Sequence, residues 1–322
     1  MLSGVQIVCF AASYTVVFAL ELSRLLFRSG VRGAVMLGFA AAGLLAHTAF
    51  LYHQAVLTPR SPLSSERDWY LIAAWLLAVV YLYLAWYYPR QSFGAFLLPL
   101  VLALIGAGVL LARNEPFPRE PASRVWGMIH GGALLLSTVA VLIGFAAGVM
   151  YLWQAARLKR KQLPRPGLRL PSLEWLARAN RRSLIVAVLA LGVGVAAGVV
   201  LGTLRHSGGG APLPWYDPVV LATLLMLVWL LLAVVLTARG DVSRRGRAVA
   251  YLTVVSFVFL AIALGSMLLL DTQHGGREDA PGNRPSGMVD NEFALKPTGI
   301  TPLDSTEHAV HDPGRSAGEG RA

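Results

Sequence analysis

The sequence predicts an all-α membrane protein, a bundle of about eight transmembrane helices followed by a disordered C-terminal tail. Three observations support this fold class. The 322-residue chain is 56% hydrophobic and only 14% charged. Its apolar residues fall into runs of about 20 residues, long enough to cross a hydrocarbon core of ~30 Å. After Leu270 the composition changes abruptly to Gly, Pro, Ser and charged residues, which do not form a packed core.

Each apolar run predicts one span. The eight spans are predicted at residues 5–26, 34–56, 69–88, 93–112, 125–153, 184–203, 219–238 and 248–270. The first run has no basic segment before it and no small-residue cleavage site after it, so we expect a retained helix rather than a signal peptide.

The basic residues predict the orientation. The net charge of +11 could indicate a nucleic-acid partner, but most Lys and Arg lie in short loops beside the spans. The loops after spans 1, 3, 5 and 7 hold seventeen basic residues, and those after spans 2, 4 and 6 hold six. The first set is therefore predicted to be cytoplasmic, and we expect no nucleic-acid partner. We therefore predict a multi-pass protein of the inner (plasma) membrane, with both termini extracytoplasmic. The predicted domains are a transmembrane domain over 1–276 and an extracytoplasmic tail over 277–322.

The longest cytoplasmic loop contains a helix-start signal, Pro171 followed by Ser172. The favoured interpretation is an elbow on the membrane surface that is attracted to anionic lipid. In this elbow apolar residues lie in the interface and arginines face the headgroups: Leu173, Trp175 and Leu176, and Arg178, Arg181 and Arg182. The alternative is a docking site for a soluble partner.

Few enzyme classes fit the chain. The single cysteine, Cys9, forms no C-x-x-C or C-x-x-C-H motif, which excludes a thiol oxidoreductase and a c-type cytochrome. Nucleophile-elbow, zincin, Walker A and dinucleotide motifs are absent from the sequence. Glu21 is the only acidic residue within the predicted spans, whereas proton-driven transporters usually carry more. An unrelated transporter is therefore a minor alternative.

Two histidines are predicted at the outer face. His130 lies near the outer start of span 5, four residues after Trp126, so the imidazole and the indole share one face of the helix. His274 follows the outer end of span 8. Imidazole is the usual protein ligand of haem iron, and two imidazoles from different helices could hold the metal from opposite sides. Each histidine alone is more often an interfacial polar residue.

The loop over 206–218, H-S-G-G-G-A-P-L-P-W-Y-D-P, lies at the same predicted face. It is too rich in Gly and Pro for a helix, and it carries Trp215, Tyr216 and Asp217. Aromatic rings at this level could stack on a porphyrin. The convergence of the three segments predicts a platform for a flat, metal-containing ligand, with haem b as the candidate and His130 and His274 as its metal ligands.

The other histidines are weaker candidates. His47 lies within span 2, where a histidine is costly and could be a haem ligand, a proton-handling group or a hydrogen-bonded structural residue. His53 is six residues further and not on the same face. His206 follows Arg205 and precedes S-G-G-G, so we expect it to be exposed. The last two histidines, His308 and His311, fall in the predicted tail.

Four stretches resemble the CcsA/HemX-type cytochrome c assembly family of haem-handling polytopic membrane proteins. They are A-A-G-L-L-A-H-T-A-F-L-Y-H in span 2, the His130 helix from W-G-M-I-H to L-K-R-K, L-P-S-L-E-W-L-A-R-A-N-R-R before span 6, and the last two spans ending in L-L-L-D-T-Q-H-G-G. The resemblance covers most of residues 1–276.

The resemblance implies a protein that binds haem at its extracytoplasmic face and presents it for attachment to apocytochrome c. His130 and His274 match the family's two outer histidines, and Trp215 and Asp217 match the end of its W-G-x-x-W-x-W-D loop, of which this chain keeps only P-W-Y-D-P. Membrane lipid, other cytochrome c assembly proteins and apocytochrome c are the partners implied. Any enzymatic role would be as part of a haem lyase complex. The alternative is a HemX-like, non-catalytic partner or regulator of haem synthesis or assembly without stable haem binding.

Overall fold

The computed structural model of the chain describes residues 6–24, 32–57, 65–112, 124–161, 169–207, 215–239 and 242–269. Within these ranges the regular structure is entirely α-helical, as predicted. The helices are α1 (Ile7–Ser23), α2 (Arg32–Leu57), α3 (Glu66–Tyr87), α4 (Gly94–Leu110), α5 (Arg124–Lys159), α6 (Leu173–Ser207), α7 (Pro218–Arg239) and α8 (Val242–Leu269). His274 and the predicted tail over 277–322 lie outside the described residues.

Odd-numbered and even-numbered helices run in opposite directions through the bundle. The start of α1 meets the second half of α2, where Phe10 stacks on His47. The start of α5 meets the second half of α6, where His130 contacts Gly194. The start of α3 meets the end of α8 through a hydrogen bond from the Tyr70 hydroxyl to the Leu264 carbonyl. The bundle therefore has two ends. We call the end at which α3, α5 and α7 begin the His130 end, and the opposite end the Gln91 end.

Small residues bring α5, α6 and α8 close together. A Cβ atom added at Gly144 of α5 would lie 3.3 Å from the Ser183 Cβ atom of α6, and one added at Gly148 would lie 3.0 Å from the Ala250 carbonyl oxygen of α8. Lipid tails are as apolar as leucine side chains, so membrane helices associate through close backbone packing of this kind rather than through the hydrophobic effect. The packing fixes α6 against the His130 face of α5.

The lengths of the helices confirm a multi-pass membrane protein. Six of the described helices are long and apolar enough to cross a membrane, namely α2, α3, α5, α6, α7 and α8. Helices α1 and α4 have 17 residues each. At 1.5 Å per residue this length is about 25 Å, the lower limit for a span.

The structure changes the prediction for the segment before span 6. Ser172 begins the helix as predicted, since its Oγ atom accepts a hydrogen bond from the Trp175 backbone N–H at 3.2 Å. The helix then continues without interruption into the span, giving a 35-residue α6. Leu176 does not lie in the interface but is fully buried, because the first turns of α6 pack against the bundle.

Candidate functional site

His130 occupies a fixed position between α5 and α6. Its Nδ1 atom lies 2.7 Å from the carbonyl oxygen of Gly194. A carbonyl can only accept a hydrogen bond, so Nδ1 carries the proton. In the neutral ring the lone pair is then on Nε2. A backbone carbonyl that binds one ring nitrogen and sets the tautomer is the usual support of a metal-ligating histidine.

Glycines of α6 provide the room for this ring. A Cβ atom added at Gly198 would lie 2.9 Å from both Cε1 and Nδ1 of His130, closer than side chains tolerate. One added at Gly194 would lie 2.9 Å from a methyl carbon of Leu134. The imidazole therefore packs directly on the backbone of α6, and its orientation depends on the absence of a side chain at Gly198, whereas Gly194 leaves room for Leu134.

The aromatic pair predicted for the site lies at the same end of the bundle, in the turn that precedes α7. Trp215 is 51% exposed and Tyr216 is 92% exposed. Asp217 differs from them, because it is buried and its Oδ1 atom accepts a hydrogen bond from the Val219 backbone N–H at 2.9 Å. Asp217 thus caps α7 and fixes the turn, while the two aromatic rings project from it.

Trp126 lies one helical turn before His130 on α5 and is 38% exposed. His206, near the last residue of α6, is exposed as predicted. The structure thus places Trp126, His130 and the turn over 215–217 at one end of the bundle. Helix α8 also ends there, at Leu269. His274, the second metal ligand predicted from the sequence, lies outside the described residues.

His47 belongs to a separate site between α1, α2 and α3. Its ring is fully buried and stacks on Phe10, with the ring centroids 4.0 Å apart and the planes inclined by 3°. Tyr14 contacts it edge-on at 6.2 Å. The Leu71 backbone on α3 faces the ring, yet neither ring nitrogen has a partner in hydrogen-bond geometry within the described part of the chain, and neither does the Tyr14 hydroxyl. These ring contacts hold His47 between the helices, and the structure does not bring it together with His130.

Sequence reasoning missed Gly194 and Gly198. Their signal is present in G-V-G-V-A-A-G of α6, because two glycines four residues apart form one small-residue face of a helix. The same segment also contains Gly192, whose added Cβ atom would meet nothing within 4 Å. The pattern alone therefore does not say which glycine supports a functional side chain.

The comparison with protein families identifies the family of the chain. The family model described as cytochrome C assembly protein matches residues 66–274. The chain belongs to the cytochrome c assembly protein family. This membership gives it a role in cytochrome c biogenesis and confirms the resemblance found in the sequence. No curated protein and no solved structure matches the chain.

The extent of the family match separates the two histidine sites. His130, the 215–217 turn and His274 all fall within the matched residues, whereas α1, α2 and His47 precede them. The match therefore includes His130 and the 215–217 turn and leaves out His47.

Proposed function

We propose that this protein binds haem b at the His130 end and presents it at the extracytoplasmic face for attachment to apocytochrome c. The observation that carries the proposal is the 2.7 Å contact between His130 Nδ1 and the Gly194 carbonyl oxygen. It leaves the metal-binding lone pair on Nε2 and holds the ring in one orientation. Membership of the cytochrome c assembly family gives this geometry its biological context.

The chain's residues fit the group in three respects. His130 would supply one nitrogen ligand, oriented by the backbone of α6. His274, five residues beyond the end of α8 at Leu269, is the second ligand that we propose on sequence grounds. Trp215 and Tyr216 expose large aromatic surfaces at the same end, suited to stacking on a planar macrocycle.

In this proposal the protein acts by holding and orienting. Asp217 keeps the aromatic turn in place by capping α7. The Gly194 carbonyl and the absence of a side chain at Gly198 keep the His130 ring against α6. The bound haem would supply the group that becomes joined to apocytochrome c through thioether bonds, with other assembly proteins delivering the apocytochrome.

The orientation is part of the proposal. The loops at the Gln91 end carry seventeen basic residues and those at the His130 end carry six. By the positive-inside rule, the Gln91 end faces the cytoplasm and the His130 end faces outwards. The exposed ring of Tyr216 is then available to a partner outside the membrane.

An absorption spectrum of the purified protein tests haem binding. The detergent-solubilised full chain is measured oxidised and after dithionite reduction, as isolated and after haem addition. We expect a Soret band and sharp reduced bands that are lost in the His130→Ala and His274→Ala variants. The control is His206→Ala, which removes an exposed histidine at the same end and should leave the spectrum unchanged.

Two outcomes would contradict the proposal. A correctly folded protein without a Soret band after haem addition would exclude the carrier role and favour the regulatory alternative, in which the protein acts through a partner. Equal haem binding by the wild type and the His130→Ala variant would show that haem is held elsewhere.

A further inference from the structure

The start of α3 contacts both α5, which carries His130, and α8, which leads to His274. Trp69 and Tyr70 are consecutive residues there, and successive side chains of a helix point about 100° apart. Each residue therefore reaches a different neighbouring helix. Trp69 contacts α5, and Tyr70 contacts α8.

Trp69 packs on the backbone of α5 directly beside His130. A Cβ atom added at Gly131 would lie 2.7 Å from both Cη2 and Cζ2 of the indole ring. Carbon atoms in contact are ordinarily about 3.5–4.0 Å apart, so a glycine is needed for the ring to come this close. His130, the preceding residue, contacts the Gly194 carbonyl of α6. This segment of α5 is therefore held by α6 on one side and by α3 on another.

Tyr70 ties α3 to the last turns of α8. The residue is buried, and its hydroxyl donates a hydrogen bond to the Leu264 carbonyl oxygen at 3.2 Å. Helix α8 ends at Leu269, and His274 follows in the sequence. The membrane interior offers no water to replace such a bond. The contact therefore fixes the end of α8 against α3.

The start of α3 is itself fixed by other contacts. Ser65 and Asp68 form a capping box, in which the Asp68 N–H donates to Ser65 Oγ at 3.3 Å and the Ser65 N–H donates to Asp68 Oδ2 at 3.1 Å. Gln54 of α2 donates from Nε2 to Asp68 Oδ1 at 2.7 Å. On α4, a Cβ atom added at Gly108 would lie 3.0 Å from the Tyr70 Cβ atom. The two aromatic residues thus project from a support that is attached to α2 and α4.

Helices α5 and α8 also contact each other further from the His130 end. Phe145 stacks on Phe257 with the ring centroids 4.1 Å apart. At 1.5 Å per residue, Phe257 lies roughly 18 Å from the end of α8 at Leu269. The contacts of Trp69 and Tyr70 lie nearer to the His130 end, where they act on both helices.

We infer that Trp69 and Tyr70 are positioning residues that set the separation of α5 and α8 at the His130 end, and with it the separation of the two proposed haem ligands. The role in haem ligation rests on the proposed function, whereas the spacing rests on the contacts of α3 alone. The groups of a binding site must be held within about 0.5 Å of the productive geometry. Two ligands that come from different helices meet this limit when a third element fixes the distance between those helices.

Distances between two spin labels, measured by double electron–electron resonance on the detergent-solubilised full chain, test the spacing without haem. The labels are attached after Met128→Cys on α5 and Ile262→Cys on α8, at positions 48% and 55% exposed, in a chain whose single cysteine is removed by Cys9→Ser. Gly131→Ala brings a methyl group to 2.7 Å from the indole, so we expect the mean distance to shift by about 1 Å. The matched control is Gly132→Ala, whose methyl group would meet nothing within 4 Å.

Tyr70→Phe tests the second contact in the same labelled chain. It retains the ring and removes the hydrogen bond to α8, so we expect a broader distribution of distances. Tyr81→Phe changes another buried tyrosine of α3 and is the control. Distributions in Gly131→Ala and Tyr70→Phe that match those of their controls would overturn the inference.

Haem titration of the unlabelled variants separates this inference from the proposed function. We expect Gly131→Ala and Tyr70→Phe to bind haem about tenfold more weakly than their controls, with a larger high-spin fraction because the iron loses one of its two histidines. Changed distances with unchanged haem affinity would confirm the spacing and refute its role in haem ligation. A wild type that binds no haem would refute the proposed function, and the label distances would still decide whether α3 sets the spacing.

Discussion

Replacement of Gly198 by alanine tests whether the packing of α6 on His130 defines the site. The added methyl group would lie 2.9 Å from two atoms of the imidazole. The ring can yield only by moving away from the Gly194 carbonyl, which weakens the 2.7 Å hydrogen bond. Overpacking costs about 1–3 kcal/mol and a net hydrogen bond about 1 kcal/mol. Since the hydrogen bond is weakened in part or in full, we expect Gly198→Ala to lower the free energy of unfolding by about 1–4 kcal/mol relative to a matched control.

Gly192→Ala is that control. It lies on the same helix, and its methyl group would meet nothing within 4 Å. Both changes alter the intrinsic helix preference equally, so this contribution cancels in the comparison. The unfolding of both variants is followed by tryptophan fluorescence during titration with dodecyl sulfate in mixed micelles.

The same pair of variants tests the proposed haem site. Loss of a group that orients a metal ligand typically weakens metal binding about 10–100-fold. We expect at least a tenfold loss of haem affinity in Gly198→Ala and none in Gly192→Ala. Equal stability and equal haem affinity in the two variants would show that the close approach of Gly198 to His130 does not constrain the ring.

Three further predictions concern other described contacts. His47→Phe retains the stack on Phe10 and removes two buried polar atoms without partners, so it should raise the free energy of unfolding by about 1 kcal/mol; a decrease would show that the ring has a polar partner. Arg24→Ala removes the ion-pair partner of the buried Glu21 carboxylate and should lower the free energy of unfolding by about 3 kcal/mol. Adding Glu21→Gln to the same variant should restore at least half of this loss, as measured by the same titration. Asp217→Ala should cost about 1 kcal/mol through the lost cap of α7, whereas Asp217→Asn should retain stability; an equal loss in both would assign the effect to the charge.

The helical bundle could be predicted from the sequence because the membrane restricts the possible structures. Every backbone N–H and C=O group must find a partner within the hydrocarbon core, so a long apolar run is a helix. The eight predicted spans correspond to eight described helices. The capping role of Ser172 also followed from the sequence, because the cap is a local interaction.

The continuity of α6 could not be predicted in the same way. Its first turns carry Arg178, Arg181 and Arg182, and charged residues mark the end of a span by composition without marking the end of a helix. Whether the helix bends at the membrane surface depends on what its apolar side contacts. Leu176 is fully buried there, so packing against other parts of the chain accompanies the uninterrupted course of α6.

The candidate site, too, could be predicted from the sequence only in part. Composition and span order are sufficient to place His130 and the 215–217 turn at one end of the bundle. The tautomer of His130 depends on one carbonyl 64 residues away, and the cap formed by Asp217 depends on where α7 begins. Neither is encoded in the residue type, because a histidine and an aspartate can each serve as ligand, cap or surface residue.

His47 and His130 are held by different interactions, and this difference separates their proposed roles. A hydrogen bond to a carbonyl fixes both the orientation and the tautomer of His130, as metal ligation requires. Stacking on Phe10 fixes the plane of the His47 ring. His130 also falls within the residues matched by the cytochrome c assembly family, and His47 does not. A ring whose tautomer is set in advance is better prepared to ligate a metal, and for this reason we propose His130, rather than the more deeply buried His47, as the haem ligand.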